Sequence, residues 1–232
     1  MTSKAKRSHW LGGKGRVDAM LCFDGTFADS LRHAPREVLQ RMTCYKFAAR
    51  MIGTHKRVLD IGCAEGLGTS LLAVECGNAC GVDLDPRAIA SARTNWRRAG
   101  IRFVCGDIFE RGRSAYDGVV CIDNGGLFSE RRLGRLIKVL ARSLTSDGVA
   151  VVGLPFIPLG QLGDRRKGVA SQAQSAGRCL ECELLIHFQY VFLFSAWGGI
   201  VQPGFHPFAD YAIMVACIKR AAERCDKRNG TE

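Results

Sequence analysis

Short apolar runs alternate along the chain with segments in which apolar residues recur at helical spacing. The runs are rich in β-branched residues, which are typical of strands, whereas a spacing of three or four residues is typical of a helix packed on one face. The predicted strands are 57–61, 79–83, 102–105, 118–122 and 149–154. The predicted helices are 37–51 and segments near 67–77, 86–99 and 129–143. This alternation predicts a parallel sheet that helices cover on both faces.

The helix near 86–99 has a clear start signal. Asp85 can accept a hydrogen bond from the first free N–H groups of the helix. Pro86 fits the first helical position because no partner is needed there for its missing N–H. Ile89 and Trp96 lie near one face, which is the face expected to pack against the sheet.

The last third of the chain has a different pattern. A further helix is predicted within 169–187, and the β-rich runs "YVFLFSAW" and "DYAIMVACI" flank a loop with glycine and proline. These two runs predict an antiparallel strand pair that closes the sheet. Residues 184–209 contain no formally charged side chain, but polar, glycine and proline positions interrupt them. Buried strand and loop are therefore favoured, and no membrane span is predicted.

Length and composition favour one globular domain. The 232 residues are 47% apolar and 24% charged, as in ordinary globular proteins. The predicted organisation is a flexible basic leader at 1–35, a folded domain at 36–218 and a basic tail at 219–232. No signal peptide is visible and the 11 cysteines are scattered, so reduced thiols and a cytoplasmic location are predicted. Cys179 and Cys182 form a CxxC without a second pair, and no metal site is predicted.

The net charge of +11 makes nucleic acid a candidate partner, because lysine and arginine attract anionic surfaces. The basic residues are dispersed over the leader, several predicted helices and the tail. Solvated helix faces explain such a distribution equally well. A nucleic-acid partner therefore stands as an alternative to a small molecule.

The stretch "VLDIGCAEGLGT" at 58–69 is a strand that ends in glycines and leads into a helix. Such a turn at the carboxyl edge of a parallel sheet is where open α/β folds bind ligands. A phosphate-binding loop would need Gly-Lys followed by Ser or Thr, which does not follow Gly66 or Gly68. A dinucleotide fingerprint starting at Gly62 would need glycines where Ala64 and Leu67 stand. Both phosphate-binding motifs are therefore absent from this turn.

The pattern that is present, D-x-G-x-A-x-G-x-G, resembles motif I of the class I S-adenosylmethionine (AdoMet)-dependent methyltransferases. That motif commonly reads D-x-G-x-G-x-G after a hydrophobic strand, and here Ala64 replaces the middle glycine. The family's ligand carries a sulfonium and an ammonium but no phosphate. A cationic ligand is compatible with the two acids of the turn, Asp60 and Glu65, which would repel a phosphate.

Acids follow the next three predicted strands in the order typical of this family. Asp83, 21 residues after Gly62, lies where a carboxylate can bind two ribose hydroxyls. Gly106 and Asp107 in "FVCGDIFE" resemble the adenine-contacting segment of the family, and Asp123 in "YDGVVCIDNGG" stands where the family places cofactor- or substrate-facing groups. The resemblance covers about residues 36–218 and identifies this segment as a methyltransferase domain.

The resemblance implies a Rossmann-like, doubly wound α/β fold with a mostly parallel seven-stranded sheet and an antiparallel last strand. It implies AdoMet as the cofactor. The residues implied to bind it are Asp60, Gly62, Cys63, Ala64, Glu65, Gly66, Gly68, Asp83, Leu84, Gly106, Asp107, Ile108 and Asp123. Arg41 and Tyr45, in the helix before the motif, are further candidates for contact with the cofactor or for closing the pocket, although packing fits Tyr45 better.

The expected acceptor is a small molecule or a glycan, methylated at oxygen. The N/D-P-P-Y/F motif of amino-methylating adenine enzymes does not follow the fourth strand, and the segment "PGFHPFADY" is similar to bacterial methyltransferases linked to sugar modification. A hydroxyl acceptor needs a base, for which Asp123 and His206 are the candidates. The alternatives are an RNA methyltransferase and a non-catalytic AdoMet-binding protein. The sequence predicts no oligomeric state.

Overall fold

The computed structural model describes residues 30–111, 115–123, 130–155, 179–206 and 209–219. The strands are β1 (Lys56–Ile61), β2 (Gly77–Asp83), β3 (Ile101–Cys105), β4 (Tyr116–Ile122), β5 (Leu144–Pro155), β6 (Phe188–Trp197), β7 (Ile200–Pro203) and β8 (Tyr211–Lys219). The helices are α1 (Pro35–Ile52), α2 (Leu67–Cys76), α3 (Pro86–Asn95) and α4 (Glu130–Ser143). Residues 30–33 and 179–187 are also helical.

These strands form one sheet in the order β3-β2-β1-β4-β5-β8-β6-β7. The first five pair in parallel, whereas β8 pairs antiparallel with both β5 and β6. The predicted fold class, a mostly parallel α/β sheet closed by an antiparallel last strand, is confirmed. The short strand β7 was not predicted, and it adds an eighth strand that pairs antiparallel with the end of β6.

Helices cover both faces of the sheet, and β1 is buried between them. Val58 and Leu59 point to opposite faces, as consecutive strand residues must, and both are almost fully buried. Leu59 belongs to the core that includes Leu136 and Leu140 of α4, and Val58 to the core that includes Leu72 of α2. Burying such a side chain contributes about 1.5–3 kcal/mol. The packing on both sides fixes where β1 ends, and therefore where the glycine turn lies.

Helix α3 begins as predicted and ends earlier than predicted. The Asp85 side chain accepts a hydrogen bond from the Arg87 N–H at 2.8 Å, and Pro86 occupies the first turn. The helix ends at Asn95 rather than near 99, because Trp96 leaves the helical conformation. The Trp96 indole N–H instead donates to the main-chain oxygen of Glu65 at 2.7 Å. The helix end is thus set by a contact with the glycine turn.

The predicted leader and tail fall mainly outside the described residues. Residues 30–33 are helical although they belong to the predicted leader, whereas 1–29 and 220–232 are not described. The domain boundaries at 36 and 218 stay predictions. No helix in the described ranges has the length and apolar character needed to cross a membrane.

Candidate active site at the carboxyl edge of the sheet

The glycine turn after β1 owes its shape to three alternate positions in the left-handed conformation. Gly62, Ala64 and Gly66 have φ values of 74°, 45° and 82°. Glycine adopts this region freely, whereas alanine pays about 1–2 kcal/mol there. The main-chain oxygen of Val82 accepts hydrogen bonds from the N–H groups of Gly62 and Cys63, at 2.8 and 3.2 Å. The turn is therefore anchored to β2 and curls at the carboxyl edge, as the motif predicted.

Gly66 of the turn and Gly68 in the first turn of α2 both allow close packing. A Cβ on Gly68 would overlap the ring of Tyr45 in α1. A Cβ on Gly66 would lie 2.6 Å from the Phe103 ring and 2.9 Å from the Trp96 indole. Since real Cβ atoms do not approach other atoms so closely, the rings of Tyr45, Phe103 and Trp96 can lie here only because these side chains are missing.

Asp60 lies beneath the glycine turn, with none of its surface exposed. Its carboxylate accepts hydrogen bonds from the Thr69 hydroxyl at 2.6 Å and the Tyr45 hydroxyl at 3.1 Å. Burial raises the Asp60 pKa from 3.8 to about 7, the two hydrogen bonds oppose this rise, and the nearby charge of Asp83 adds to it. The carboxyl thus connects β1, α1 and α2 from below the turn.

Asp83 at the end of β2 is held by the main chain. Its two carboxylate oxygens accept hydrogen bonds from the Ala64 N–H at 2.8 Å and from the Asp85 N–H at 2.9 Å. Each carboxylate oxygen has a second lone pair, so both can still accept a hydrogen bond from a ligand hydroxyl. The side chain therefore has a fixed orientation and free acceptor capacity.

A cavity of about 220 Å³ opens beside the turn, between α1 and the ends of β1, β2 and β4. The charged residues that line it are four acids and one base: Glu65, Asp83, Asp85, Asp123 and Arg41. The other lining residues are Ser30, Met42, Tyr45, Gly62, Cys63, Ala64, Gly66, Leu67, Gly68, Ala88 and Ile122. Four carboxylates against one guanidinium favour a cationic ligand and disfavour a phosphate.

Among the described residues, one ion pair spans this cavity and joins α1 to the end of β4. Arg41 Nη1 lies 3.3 Å from Asp123 Oδ2, and each side chain is about 30% exposed, at 29% and 30%. Asp123 has a φ of 59°, which turns the chain sharply after β4. The pair places opposite charges side by side at the cavity wall.

Two protonated groups lie close to Asp123. Burial, followed by the Asp123 charge, raises the pKa of the Tyr211 hydroxyl well above its ordinary value. The same two causes raise the pKa of the Cys44 thiol to about 12. Both groups therefore stay protonated near neutral pH. The sequence interpretation missed Tyr211, which the antiparallel pairing of β8 with β5 brings to this edge opposite Pro155.

A second cavity of about 310 Å³ lies on the other side of Asp83, and both cavities share Asp83 and Gly62. The predicted residues that line it are Leu84, Gly106, Asp107 and Ile108. The Asp107 side chain accepts a hydrogen bond from the Phe109 N–H at 2.8 Å, which shapes the turn after β3.

Two arginines of α4, Arg132 and Arg135, also line the second cavity, and the sequence interpretation missed them. The Arg135 guanidinium carbon lies 4.4 Å from the centroid of the Phe109 ring, a cation–π contact. Their three-residue spacing in the predicted helix after β4 was the available signal, because such a pair shares one helix face.

The structure brings together all predicted cofactor residues except Asp60, which lines neither cavity. Gly62, Cys63, Ala64, Glu65, Gly66, Gly68, Asp83 and Asp123 line the first cavity, and the remainder line the second. His206 also lines neither cavity. Its ring stacks on Trp197, with centroids 5.2 Å apart, and its main-chain N–H donates to the Ser195 hydroxyl. The unpredicted hairpin of β6 and β7 is what places His206 against Trp197.

Comparisons with known proteins point to one family. A family model described as a methyltransferase domain matches residues 58–148. A 78-residue segment is 33% identical to the ribosomal protein L11 methyltransferase of Dechloromonas aromatica (strain RCB). The match covers 33% of this chain and 26% of that protein, so the chain spans about a quarter of this curated relative.

Solved methyltransferase structures share the fold. A TehB-like SAM-dependent methyltransferase from Corynebacterium glutamicum superposes with a TM-score of 0.55 at 20% identity, over 83% of this chain and 99% of that one. The N-methyltransferase NodS from Bradyrhizobium japonicum superposes with a TM-score of 0.57 at 21% identity, over 82% and 100%. At such identities the likeness concerns the fold. Residues 58–148 thus match a methyltransferase domain, and the chain has the fold of S-adenosylmethionine-dependent methyltransferases, with an acid-lined cavity at the sheet edge.

Proposed function

We propose that the chain transfers a methyl group from AdoMet to a small-molecule or glycan acceptor, at oxygen. The observation that carries the cofactor part is the charge of the first cavity, where four carboxylates face one guanidinium. When bound, AdoMet supplies the methyl group and a sulfonium that leaves as a neutral thioether. The chain's own residues hold the donor, align the acceptor and remove its proton.

Asp83 is proposed to bind the ribose. Its carboxylate is fixed by the N–H groups of Ala64 and Asp85, so it presents its free lone pairs without having to be ordered by the ligand. It stands between the two cavities, which fits a sugar that joins two larger groups. A carboxylate that accepts two hydroxyl hydrogen bonds also discriminates against a phosphorylated ribose.

Arg41 and Asp123 are proposed to bind the amino-acid end of AdoMet. The end carries a carboxylate and an ammonium, and the two side chains carry the complementary charges 3.3 Å apart. Without ligand, the two side chains neutralise each other. On binding, Arg41 pairs with the carboxylate of the ligand and Asp123 with its ammonium. Each side chain is about 70% buried, which makes such exchanged pairs stronger than exposed ones.

The second cavity is proposed to hold the adenine. Ile108 and Phe109 supply apolar surface, and Asp107 stands where the family's adenine-contacting acid is expected. The guanidinium of Arg135 is kept against the Phe109 ring, at the side of the cavity formed by α4. A purine that stacks on an aromatic side chain gains contacts worth about 1–3 kcal/mol.

Asp123 is further proposed as the base that accepts the proton of a hydroxyl acceptor. It lines the first cavity at the end of β4, and Tyr211 lies near it on the opposite side from the glycine turn. Tyr211 stays protonated and can orient the acceptor or Asp123 by donating a hydrogen bond. His206 lines neither cavity, and its proposed role is contact with the acceptor beside Trp197.

Titration calorimetry with AdoMet and its demethylated product tests the cofactor part. Asp83→Ala is expected to weaken binding by about tenfold or more, since hydrogen bonds to a charged group contribute about 1.5–3 kcal/mol. Asp147→Ala, at an exposed position of β5, is the matched control and should bind as the wild type does. Equal affinities for Asp83→Ala and wild type would remove Asp83 from the ribose site.

A labelled-methyl screen over glycans, hydroxylated metabolites, amines, RNA and proteins tests the acceptor part. Transfer to a hydroxyl acceptor that Asp123→Asn slows while AdoMet affinity stays measurable supports the proposal. Transfer to RNA with a steep salt dependence would favour the RNA alternative, because phosphate contacts weaken strongly with salt. AdoMet binding without transfer to any acceptor would favour a non-catalytic binding protein.

A further inference from the structure

A recess at the opposite, amino edge of the sheet is larger than either cavity at the carboxyl edge. It encloses about 570 Å³ and is formed where β1, β2, β3 and β4 begin. The side chains that matter for its chemistry are Arg57, Asn78, Cys80, Arg102 and Tyr116. It shares no lining residue with the first or second cavity.

Strand register places the two arginines of this recess on the same face of the sheet. Arg57 of β1 is paired with Asn78 of β2, and Cys80, two residues on, is paired with Arg102 of β3. Residues two apart in a strand share a face, and so do directly paired residues. Arg57 and Arg102 therefore flank the start of β2 from its two neighbouring strands.

Tyr116 at the start of β4 lies near both guanidinium groups. The Arg57 guanidinium carbon lies 5.9 Å from the Tyr116 ring centroid. The Cys80 thiol and the Tyr116 hydroxyl lie beside the Arg102 guanidinium and raise its pKa. The charge of Arg111 also acts on Tyr116. Three arginines thus converge on one tyrosine.

Within the described part of the chain, no carboxylate forms an ion pair with Arg57 or Arg102. No carboxylate lines the recess, and neither Arg57 nor Arg102 forms an ion pair there. Asp117, the acid next to Tyr116, accepts a hydrogen bond at 2.7 Å from the main-chain N–H of Arg57 rather than from its side chain. The recess therefore has the opposite charge balance to the acid-lined cavity.

We propose that this recess is a binding site for a phosphoryl group, with Arg57 and Arg102 as its cationic ligands and the Tyr116 hydroxyl as a further donor. A guanidinium presents a planar fork of N–H groups that fits two phosphate oxygens, and two guanidinium groups match the double negative charge of a phosphomonoester. The volume leaves room for the group that carries the phosphate. The site is separate from the methyl-transfer site and does not depend on the identity of the methyl acceptor.

Titration of the full chain with inorganic pyrophosphate, ribose 5-phosphate and a single-stranded RNA tests the proposal. Arg57→Gln and Arg102→Gln are each expected to weaken binding of the phosphoryl probe by about tenfold, the loss of one charge-assisted contact. Arg102→Lys keeps the charge but loses the planar fork of N–H groups, so its affinity for the probe should lie between those of the wild type and Arg102→Gln. Arg97→Gln, an exposed arginine outside the recess, is the matched control and should bind as the wild type does.

Thermal unfolding without ligand shows whether each variant is folded, and AdoMet titration of the same samples should give wild-type affinities. Binding of either small phosphate, lost in both recess variants, assigns the site to a phosphorylated small molecule. Binding of RNA alone, lost in both variants but kept in Arg97→Gln, assigns it to a nucleic-acid backbone. Equal weakening in Arg97→Gln, unchanged binding in the recess variants, or no binding of any probe overturns the proposal.

Discussion

Replacing Asp60 by asparagine is expected to remove a pH-dependent loss of stability. Asp60 is completely buried, and its pKa in the folded chain is about 7 compared with an ordinary value of 3.8. Burial is the main cause, because removing a carboxylate from water disfavours its charged form. The hydroxyl groups of Tyr45 and Thr69 stabilise the charged form only in part.

The sign of the effect follows from proton binding. Between pH 3.8 and about 7 the folded chain keeps the Asp60 proton that the unfolded chain has released. Because the folded state binds more protons in this window, the free energy of unfolding falls as the pH rises through it. A pKa difference of about 3 corresponds to about 4 kcal/mol. The full stability is present below the lower pKa, and the loss is complete above the higher one.

Asparagine keeps the shape of the side chain and removes its titration. Its carbonyl oxygen can accept from Tyr45, and its NH₂ group can donate to the Thr69 hydroxyl, which rotates to accept. Urea unfolding of wild type and Asp60→Asn between pH 4 and pH 8 gives the difference in unfolding free energy. We expect the free energy of unfolding of the variant to rise relative to that of the wild type by about 4 kcal/mol as the pH rises from 4 to 8.

Asp147→Asn, a change of an exposed carboxyl group, is the control for the loss of one acid. Parallel wild-type and Asp60→Asn profiles would refute the reasoning, since Asp60 would then titrate alike in both states. A second consequence concerns the ligand. A cation bound in the adjoining cavity favours charged Asp60, so binding near pH 7 should release protons, and Asp60→Asn should release fewer.

Three further changes test the packing around the two cavities. Gly68→Ala should lower the free energy of unfolding by about 1–3 kcal/mol, because the added methyl group meets the Tyr45 ring. Adding Tyr45→Ala should lessen that cost, and additive costs in the double-mutant cycle would exclude the contact. Ala64→Gly should raise stability by up to about 1 kcal/mol in urea unfolding, because its φ is 45°, and a loss would contradict this. Arg142→Met should lower the free energy of unfolding by about 2–3 kcal/mol and weaken AdoMet binding, because the Arg142 guanidinium donates to three main-chain oxygens within 108–111. An unchanged AdoMet affinity would show that this turn is not part of the adenine site.

The parts of the site that the sequence predicts are those set by local pattern. The turn at Gly62 and Gly66 and the carboxylate at Asp83 follow from the residues next to them and from the rule that parallel strands end at one edge. The Asp85 cap is equally local and is found as predicted. Such features need no knowledge of which helix packs where.

The features that the sequence does not predict depend on contacts between distant segments. The end of α3 is set by Trp96 reaching Glu65, which lies 31 residues away. The place of His206 is set by its stacking on Trp197 across an unpredicted hairpin. Asp60 is recognisable as a motif residue, but its burial beneath the turn follows from the docking of α1, which brings Tyr45 to it.

The net charge of the chain does not decide the charge of its ligand. At physiological salt, exposed charges are largely screened beyond about 8 Å. A ligand in the first cavity therefore responds to the five charged groups that line it, which are mainly acidic, rather than to arginines on other surfaces. The excess of basic residues acts where arginines line a recess that no carboxylate lines, as around Tyr116. The overall charge of +11 and the preference for a sulfonium cation are thus properties of different surfaces and do not conflict.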